Sequence, residues 1–277
     1  MRNRKKIFKL TEGGIVSLKY LSLALLPSEI DSLETEAYLV IDVLRATTSI
    51  VALFESGLSN LLVVNNVNEA RVRAKKERRI LFGEVGGLPP QDFNYGNSPS
   101  EISTLKLDNQ KAALVTTNGT RALCLASKKG VTAAGALSNI SAAIQWAGQF
   151  TSLSIICSGE NSGNRFALED FAVAARYIHK MAREYSPLEL NDGARLAIEL
   201  GNYEGWIASS LTNDLTPSSR LITGTTHGQE LAKLGFSADL QFCTTENTSS
   251  LVPYVVTANE NSALLKASES GNSPRTL

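Results

Sequence analysis

The sequence predicts an α/β protein, a three-layer α/β/α arrangement around a mostly parallel or mixed sheet. Two observations carry this reading. From Tyr38 onward, short apolar runs alternate with polar loops and helix-like segments, the order that builds crossover units. The apolar runs are nearly continuous instead of alternating with polar residues, as expected for strands covered on both faces.

Each element follows in order. The basic start "MRNRKKIFKL" precedes "IVSLKYLSLALLP". Lys19 interrupts that apolar run and no small-residue cleavage site follows, so residues 1–14 read as a solvated tail before a first strand, not as a secretory signal. "YLVID" leads into "ATTSIVALFESG", where Ile50, Val51, Phe54 and Leu58 fall at helical spacing and Gly57 is a plausible stop. "LLVV" precedes the charged helix-like "NEARVRAKKERR", and "ILFGE" opens a long loop containing "GGLPPQDFNYGNSP". "AALV" leads through "TTNGT" into "RALCLASKKG", and "VTAAG" leads into "SNISAAIQWAG". "LSIIC" leads through "SGENSGNR" into a long helix with Leu168, Phe171, Ala175 and Ile178 on its apolar face. After Pro187 the chain turns more helical, with "NDGARLAIELG", "YEGWIASSL" and "THGQELAKLG", before a late apolar piece, "LVPYVV".

The organisation expected is a flexible tail over 1–14, one α/β domain over 15–262 or two intimately packed lobes, and a second tail over 263–277. The end, "ASESGNSPRTL", is small and polar throughout.

Lys plus Arg and Asp plus Glu balance at 27 each, so no basic field recruits nucleic acid or an anionic membrane. No run approaches the roughly 18 apolar residues of a membrane helix. Three cysteines without a CxxC pair and two histidines argue against a disulfide framework and a Cys/His zinc site, and the chain reads as cytoplasmic. A small ligand or a protein partner fits better.

In an open sheet, ligands bind beyond the carboxyl ends of the strands. Those ends carry Asp42, with Arg45, Thr47 and Thr48 in the next turn, then Glu84, Thr116 and Ser158. The run Thr117, Asn118, Gly119, Thr120 at a helix start offers main-chain N–H groups and hydroxyls to an anion, and Arg121 adds charge. Asp42 suits a metal ligand, a base, a phosphoryl acceptor or a helix cap. Glu169 and Asp170 open the long helix, a placement its dipole favours in any case. Jointly Asp42, Glu84, Glu169 and Asp170 offer enough hard oxygen for Mg²⁺, which the sequence favours over zinc.

Sharper motifs fail. Cys157 and Arg165 are too far apart for a cysteine-phosphatase loop, so Cys157 reads as a buried strand residue. "DVLRAT" has Leu44 where an aspartyl-phosphate phosphatase carries its second Asp, and there is no P-loop or dinucleotide fingerprint.

Taken in order, "IDVLRATTSI" (41–50), "GEVGGLPPQDFNYGNSP" (83–99), "TTNGTRAL" (116–123), "CSG" (157–159), "RFALED" (165–170) and "HGQELAKLGF" (227–236) resemble the 2-phosphosulfolactate phosphatases of coenzyme M biosynthesis. The resemblance implies a Mg²⁺-dependent phosphatase that frees 3-sulfolactate from its 2-phosphate ester. It implies catalytic roles for Asp42, Arg45, Glu84, Arg121 and Asp170, and metal ligation by Asp42, Glu84, Glu169 and Asp170. Substrate contacts would come from Thr47, Thr48, Asn97, Ser98, Thr117, Asn118, Gly119, Thr120, Ser158, Arg165 and His227. The family pattern often reads Gly-Glu-Arg-Gly-Gly with an aspartate before "GNSP"; this chain has Val85 and Asn94 there. Two other readings remain: a phosphatase for another phosphorylated small 2-hydroxy acid, and a non-catalytic anion-binding relative. A homo-oligomer is the default expectation for such an enzyme.

Overall fold

The computed structural model describes residues 17–202 and 217–269. The expected N-terminal tail and the helix expected over "YEGWIASSL" lie outside these residues.

In chain order the strands are β1 (Tyr20–Ala24), β2 (Ala37–Ile41), β3 (Asn60–Val64), β4 (Ile80–Gly83), β5 (Lys111–Val115), β6 (Val131–Gly135), β7 (Ser152–Cys157), β8 (Glu189–Leu190), β9 (Leu251–Ala258) and β10 (Ser262–Glu269). The helices are α1 (Ala46–Glu55), α2 (Val67–Glu77), α3 (Pro99–Ile102), α4 (Asn118–Ser127), α5 (Ile140–Ala147), α6 (Leu168–Glu184), α7 (Asp192–Asn202), α8 (Pro217–Gly224), α9 (Thr226–Lys233) and α10 (Ser237–Cys243).

Among the described residues all ten strands form one mixed sheet in the order β4-β5-β3-β10-β9-β6-β2-β7-β1-β8. The β9–β10 hairpin sits in its middle, antiparallel to β3 on one side and to β6 on the other. On either side the strands run parallel. Across the hairpin the two parallel groups therefore run in opposite directions, and in a flat sheet the carboxyl ends of β2 and β5 would face opposite edges. Neighbouring strands rotate by roughly 20–25°, so over the five steps from β5 to β2 the sheet coils strongly. Helix α4 leaves β5 and packs over β10, β9, β6 and β2, while α1 leaves β2 and packs on β6 and β9. The two carboxyl ends meet under these helices.

The layers follow from side-chain alternation along the strands. Leu39 and Ile41 of β2 enter one core with α5, α6 and α7; Tyr38 and Val40 enter the other with α1 and α4. In the first parallel group Leu62 and Val64 face α2 while Leu61 and Val63 face the α1/α4 layer. All five residues of β2 are buried, the pattern of a strand covered on both faces. Trimming a core side chain such as Leu39 to alanine would cost about 2–5 kcal/mol.

Two expectations need correction. β10 runs to Glu269, through the start of the segment read as a C-terminal tail from 263. Ala263 and Leu265 are buried against β3 and β9, a period-two pattern too short and too polar to stand out from the sequence. On α6, Phe171, Ala175 and Ile178 are buried as expected, but Leu168 is 37% exposed because the helix begins at the protein surface.

Candidate active site

The site is built from turns that leave β2, β4, β5 and β7. Asp42 follows β2 and caps α1: its Oδ1 accepts the Ala46 N–H at 3.2 Å. Thr47 locks the same turn, its hydroxyl donating to the Asp42 carbonyl at 2.9 Å and accepting the Asp42 N–H at 3.0 Å. Thr48 Oγ1 donates to the Val43 carbonyl at 2.9 Å. Both threonines, expected at the substrate, are spent on the main chain. The other carboxylate oxygen of Asp42 faces α4: a Cβ placed on Gly119 would lie 3.0 Å from Asp42 Oδ2 and 2.8 Å from the Ala46 Cβ. Only glycine lets the start of α4 approach the aspartate this closely.

Asp170, in the first turn of α6, straps two of these turns together. Its Oδ1 accepts the Val43 N–H at 2.9 Å and its Oδ2 the Gly159 N–H at 3.1 Å. Glu84 Oε2 accepts the Gly87 N–H at 2.7 Å, which folds the glycine loop back on itself. Glu169 Oε1 lies 3.1 Å from His227 Nδ1. Glu160, Glu169 and His227 present ligand atoms within 4.8 Å of one another.

These acids sense each other. Burial pushes the Asp42 carboxyl up to about 6, with Glu84 and Glu169 adding to the rise while the Ala46 N–H and His227 oppose it. Burial, then the charges of Asp42 and Glu169, hold the Asp170 carboxyl well above the usual carboxylate range. Burial works to lower the His227 imidazole, but the bond and charge of Glu169, helped by Asp42 and Glu160, raise it on balance.

The arginines are placed otherwise than the sequence suggests. Arg45 is buried, with Nη1 2.7 Å from Asp239 Oδ2, Nη2 donating to the Gly87 carbonyl at 3.0 Å, and its guanidinium 4.3 Å from the Phe236 ring centre. Asp239 also accepts Ser98 Oγ at 2.6 Å and the N–H and hydroxyl of Ser100 at 3.1 and 2.5 Å. Arg45 and Ser98 thus brace the 84–100 loop against α10. Arg165 pairs with Glu160 at the surface. Arg121 is exposed and makes no ion pair among the described residues. Thr117 is exposed, and Asn118 Oδ1 accepts the Ser162 N–H at 2.8 Å, tying the loop after β7 to the start of α4.

Three expected substrate residues keep buried polar atoms without a partner: Asn97 Oδ1, Thr120 Oγ1 and Ser158 Oγ. Such atoms call for a ligand or water. Cys157 is fully buried, and burial drives its thiol well above the ordinary range, as befits a structural strand residue. Val85, in the family's arginine position, is 62% exposed, while Asn94 Oδ1 accepts the Leu81 N–H at 2.9 Å and pins the loop to β4.

Asp239 and Glu160 escaped the sequence reading. Asp239 lies in "SADLQFC", a short amphipathic stretch with no motif around it. Glu160 stands between glycines in "SGENSG", a flanking that resembles that of Glu84 and could have marked it.

The family model described as 2-phosphosulpholactate phosphatase matches residues 24–258 of this chain. A protein of Pseudothermotoga lettingae named "Probable 2-phosphosulfolactate phosphatase" is 36% identical over 217 residues, 78% of this chain and 88% of its own. Proteins with the same name from Thermotoga maritima and Deinococcus radiodurans are 34% identical over 80% of this chain and 33% identical over 83%, covering 90% and 92% of their own lengths.

Proposed function

We propose a function from the premise that this chain belongs to the 2-phosphosulpholactate phosphatase family. It is a hydrolase of a phosphate monoester, and its substrate is 2-phospho-3-sulfolactate, which it converts to 3-sulfolactate and phosphate. The observation that carries the reading is the contact of the buried Asp42 with Gly119 at the start of α4. It joins a carboxylate to a helix N-terminus, the pairing a metal-bound phosphate needs.

The residues present fit a divalent cation. Burial first, and then the charges of neighbouring acids, raise the carboxyls of Asp42 and Asp170, a rise that a bound divalent cation would offset. Asp42, Glu84, Glu169 and Asp170 all supply oxygen, the donor Mg²⁺ prefers, and would hold it. Among the described residues the ligand atoms within 4.8 Å of one another are those of Glu160, Glu169 and His227, so Glu169 is the member of the set that this cluster supports. When bound, the ion would neutralise charge on a phosphoryl oxygen.

The protein's own groups do the rest. The main-chain N–H groups of Gly119 and Thr120 bind phosphoryl oxygens at the positive end of α4. The unpartnered oxygens of Thr120, Ser158 and Asn97 take up the remaining polar atoms of the ligand. Water attacks phosphorus, directly or after a first transfer to Asp42, as the ester P–O bond breaks, and His227, whose imidazole the bond and charge of Glu169 raise, gives a proton to the departing alkoxide oxygen. Asp170 fixes the turns after β2 and β7 so that these groups converge. Arg121 attracts the anionic end of the substrate.

One observation favours a second reading, a phosphorylated 2-hydroxy acid with less charge. Arg45, buried, and Arg165, at the surface, are both paired with the protein's own carboxylates, which leaves few cations for a substrate bearing phosphate, sulfonate and carboxylate. Initial rates of phosphate release from 2-phosphosulfolactate, 2-phospholactate and 3-phosphoglycerate decide it. We expect the highest kcat/KM for the sulfonated ester; a higher value for 2-phospholactate would install the second reading.

A further inference from the structure

A cleft of about 340 Å³ lies against the C-terminal half of α1 and the end of α10. Its floor is apolar, formed by Val51 and Ala52 of α1, Leu105 and Phe242. Its volume falls in the range of sites for small organic ligands. Two polar features make it more than an apolar hollow. Ser138 lines it with a buried Oγ that has no hydrogen-bond partner, a standing cost that a bound acceptor or donor would relieve. Glu55, at the end of α1, is the only charged side chain in the lining. Its Oε1 accepts the Ser249 hydroxyl, and it makes no ion pair among the described residues. Neither residue belongs to the hydrolytic site.

We propose that this cleft is a second ligand site, which takes a small molecule with an apolar body and an amino group. The body rests on Val51, Ala52 and Phe242, the ammonium pairs with Glu55, and a polar atom of the ligand meets Ser138. The cleft is backed by elements that hold the hydrolytic site: α1, capped by Asp42, and α10, whose Asp239 grips Arg45.

Benzylamine, titrated into the full-length protein and followed by backbone amide chemical shifts, tests the assignment without any turnover assay. We expect saturable shifts centred on Ala52, Ser56, Ser138 and Phe242. Glu55→Gln, an exposed and conservative change, should weaken binding at least about threefold, the scale of an exposed ion pair. Benzyl alcohol should bind correspondingly less well, and Ala52→Met should fill the floor and abolish the shifts. Absence of saturable shifts there up to about 10 mM amine, an affinity weaker than any useful small-ligand site, overturns the proposal. So does an affinity indifferent to Glu55→Gln, or equal binding of the amine and the alcohol.

Discussion

Arg45 Nη1 and Asp239 Oδ2 are 2.7 Å apart with both side chains almost wholly excluded from solvent. The pair joins the turn after β2 to α10, and Ser98 and Ser100 complete the bonds of the aspartate. Removing one partner of such a pair leaves the other charge buried and uncompensated, which costs about 3–5 kcal/mol. Asp239→Ala should therefore lower the stability of the protein by about that much in urea unfolding. Arg45→Ala should do the same, with the double variant losing less than the sum. A loss under about 1 kcal/mol for Asp239→Ala would place the pair among ordinary surface bridges.

Asp42→Asn keeps the cap on α1, since an asparagine oxygen still accepts the Ala46 N–H. It removes the charge that Glu84 and Glu169 oppose. Turnover should fall by about three orders of magnitude or more, the usual consequence of deleting a central electrostatic group, while the circular dichroism spectrum stays that of the parent. Phosphate release within about tenfold of the parent would remove Asp42 from the reaction.

The same residue sets a pH dependence of stability without metal. Its carboxyl is raised from 3.8 to about 6 in the folded protein, so the native state holds the proton that the unfolded chain has already lost. Stability should therefore decline as pH rises from about 4 through 6, by about 3 kcal/mol from this group. His227, also raised, contributes in the same direction: what its pairing adds is present at low pH and lost as pH climbs through its folded value. Comparing Asp42→Asn with the parent in EDTA across pH 4–8 isolates the first effect. The variant should gain relative stability as pH rises; a constant difference would mean that Asp42 titrates normally.

Gly119→Ala places a methyl group 2.8 Å from the Ala46 Cβ and 3.0 Å from Asp42 Oδ2. Helices α1 and α4 must part at the site, at a cost of about 1–3 kcal/mol. We expect kcat/KM to fall far more than that of a control Gly224→Ala change, where an added Cβ meets nothing. Equal kinetics for the two variants would show that α4 does not touch the reacting groups.

Arg121 is exposed and outside any ion pair among the described residues, so Arg121→Ala should change stability by less than about 0.5 kcal/mol. Its expected effect is on KM, about tenfold upward, with kcat little changed; an unmoved KM assigns it to the surface.

The layered fold was legible because β2, β5 and β7 read as largely apolar runs, each followed by a helix-like segment. The reversal across the β9–β10 hairpin was not, because pairing of residues 251–269 between β3 and β6 is a long-range choice that no local pattern encodes. At the site, the acids and the Asn-Gly start of α4 stood out as polar residues at the ends of buried strands. What could not be read was which polar groups turn inward on the protein itself. Thr47 and Thr48 have the same chemistry as Thr120, yet only the last keeps a free oxygen, since bonds to the main chain of the turn after β2 take up the other two. Arg45 looked like an anion ligand because its partner, Asp239, lies 194 residues away.

The most direct test of the central claim is inorganic phosphate release from racemic 2-phosphosulfolactate by the purified protein, first with added Mg²⁺ and then in EDTA. Release that requires the metal and is restored on adding it back is the result expected of the four-carboxylate site around Asp42. Undiminished release in EDTA, or none under either condition from folded protein, would contradict it.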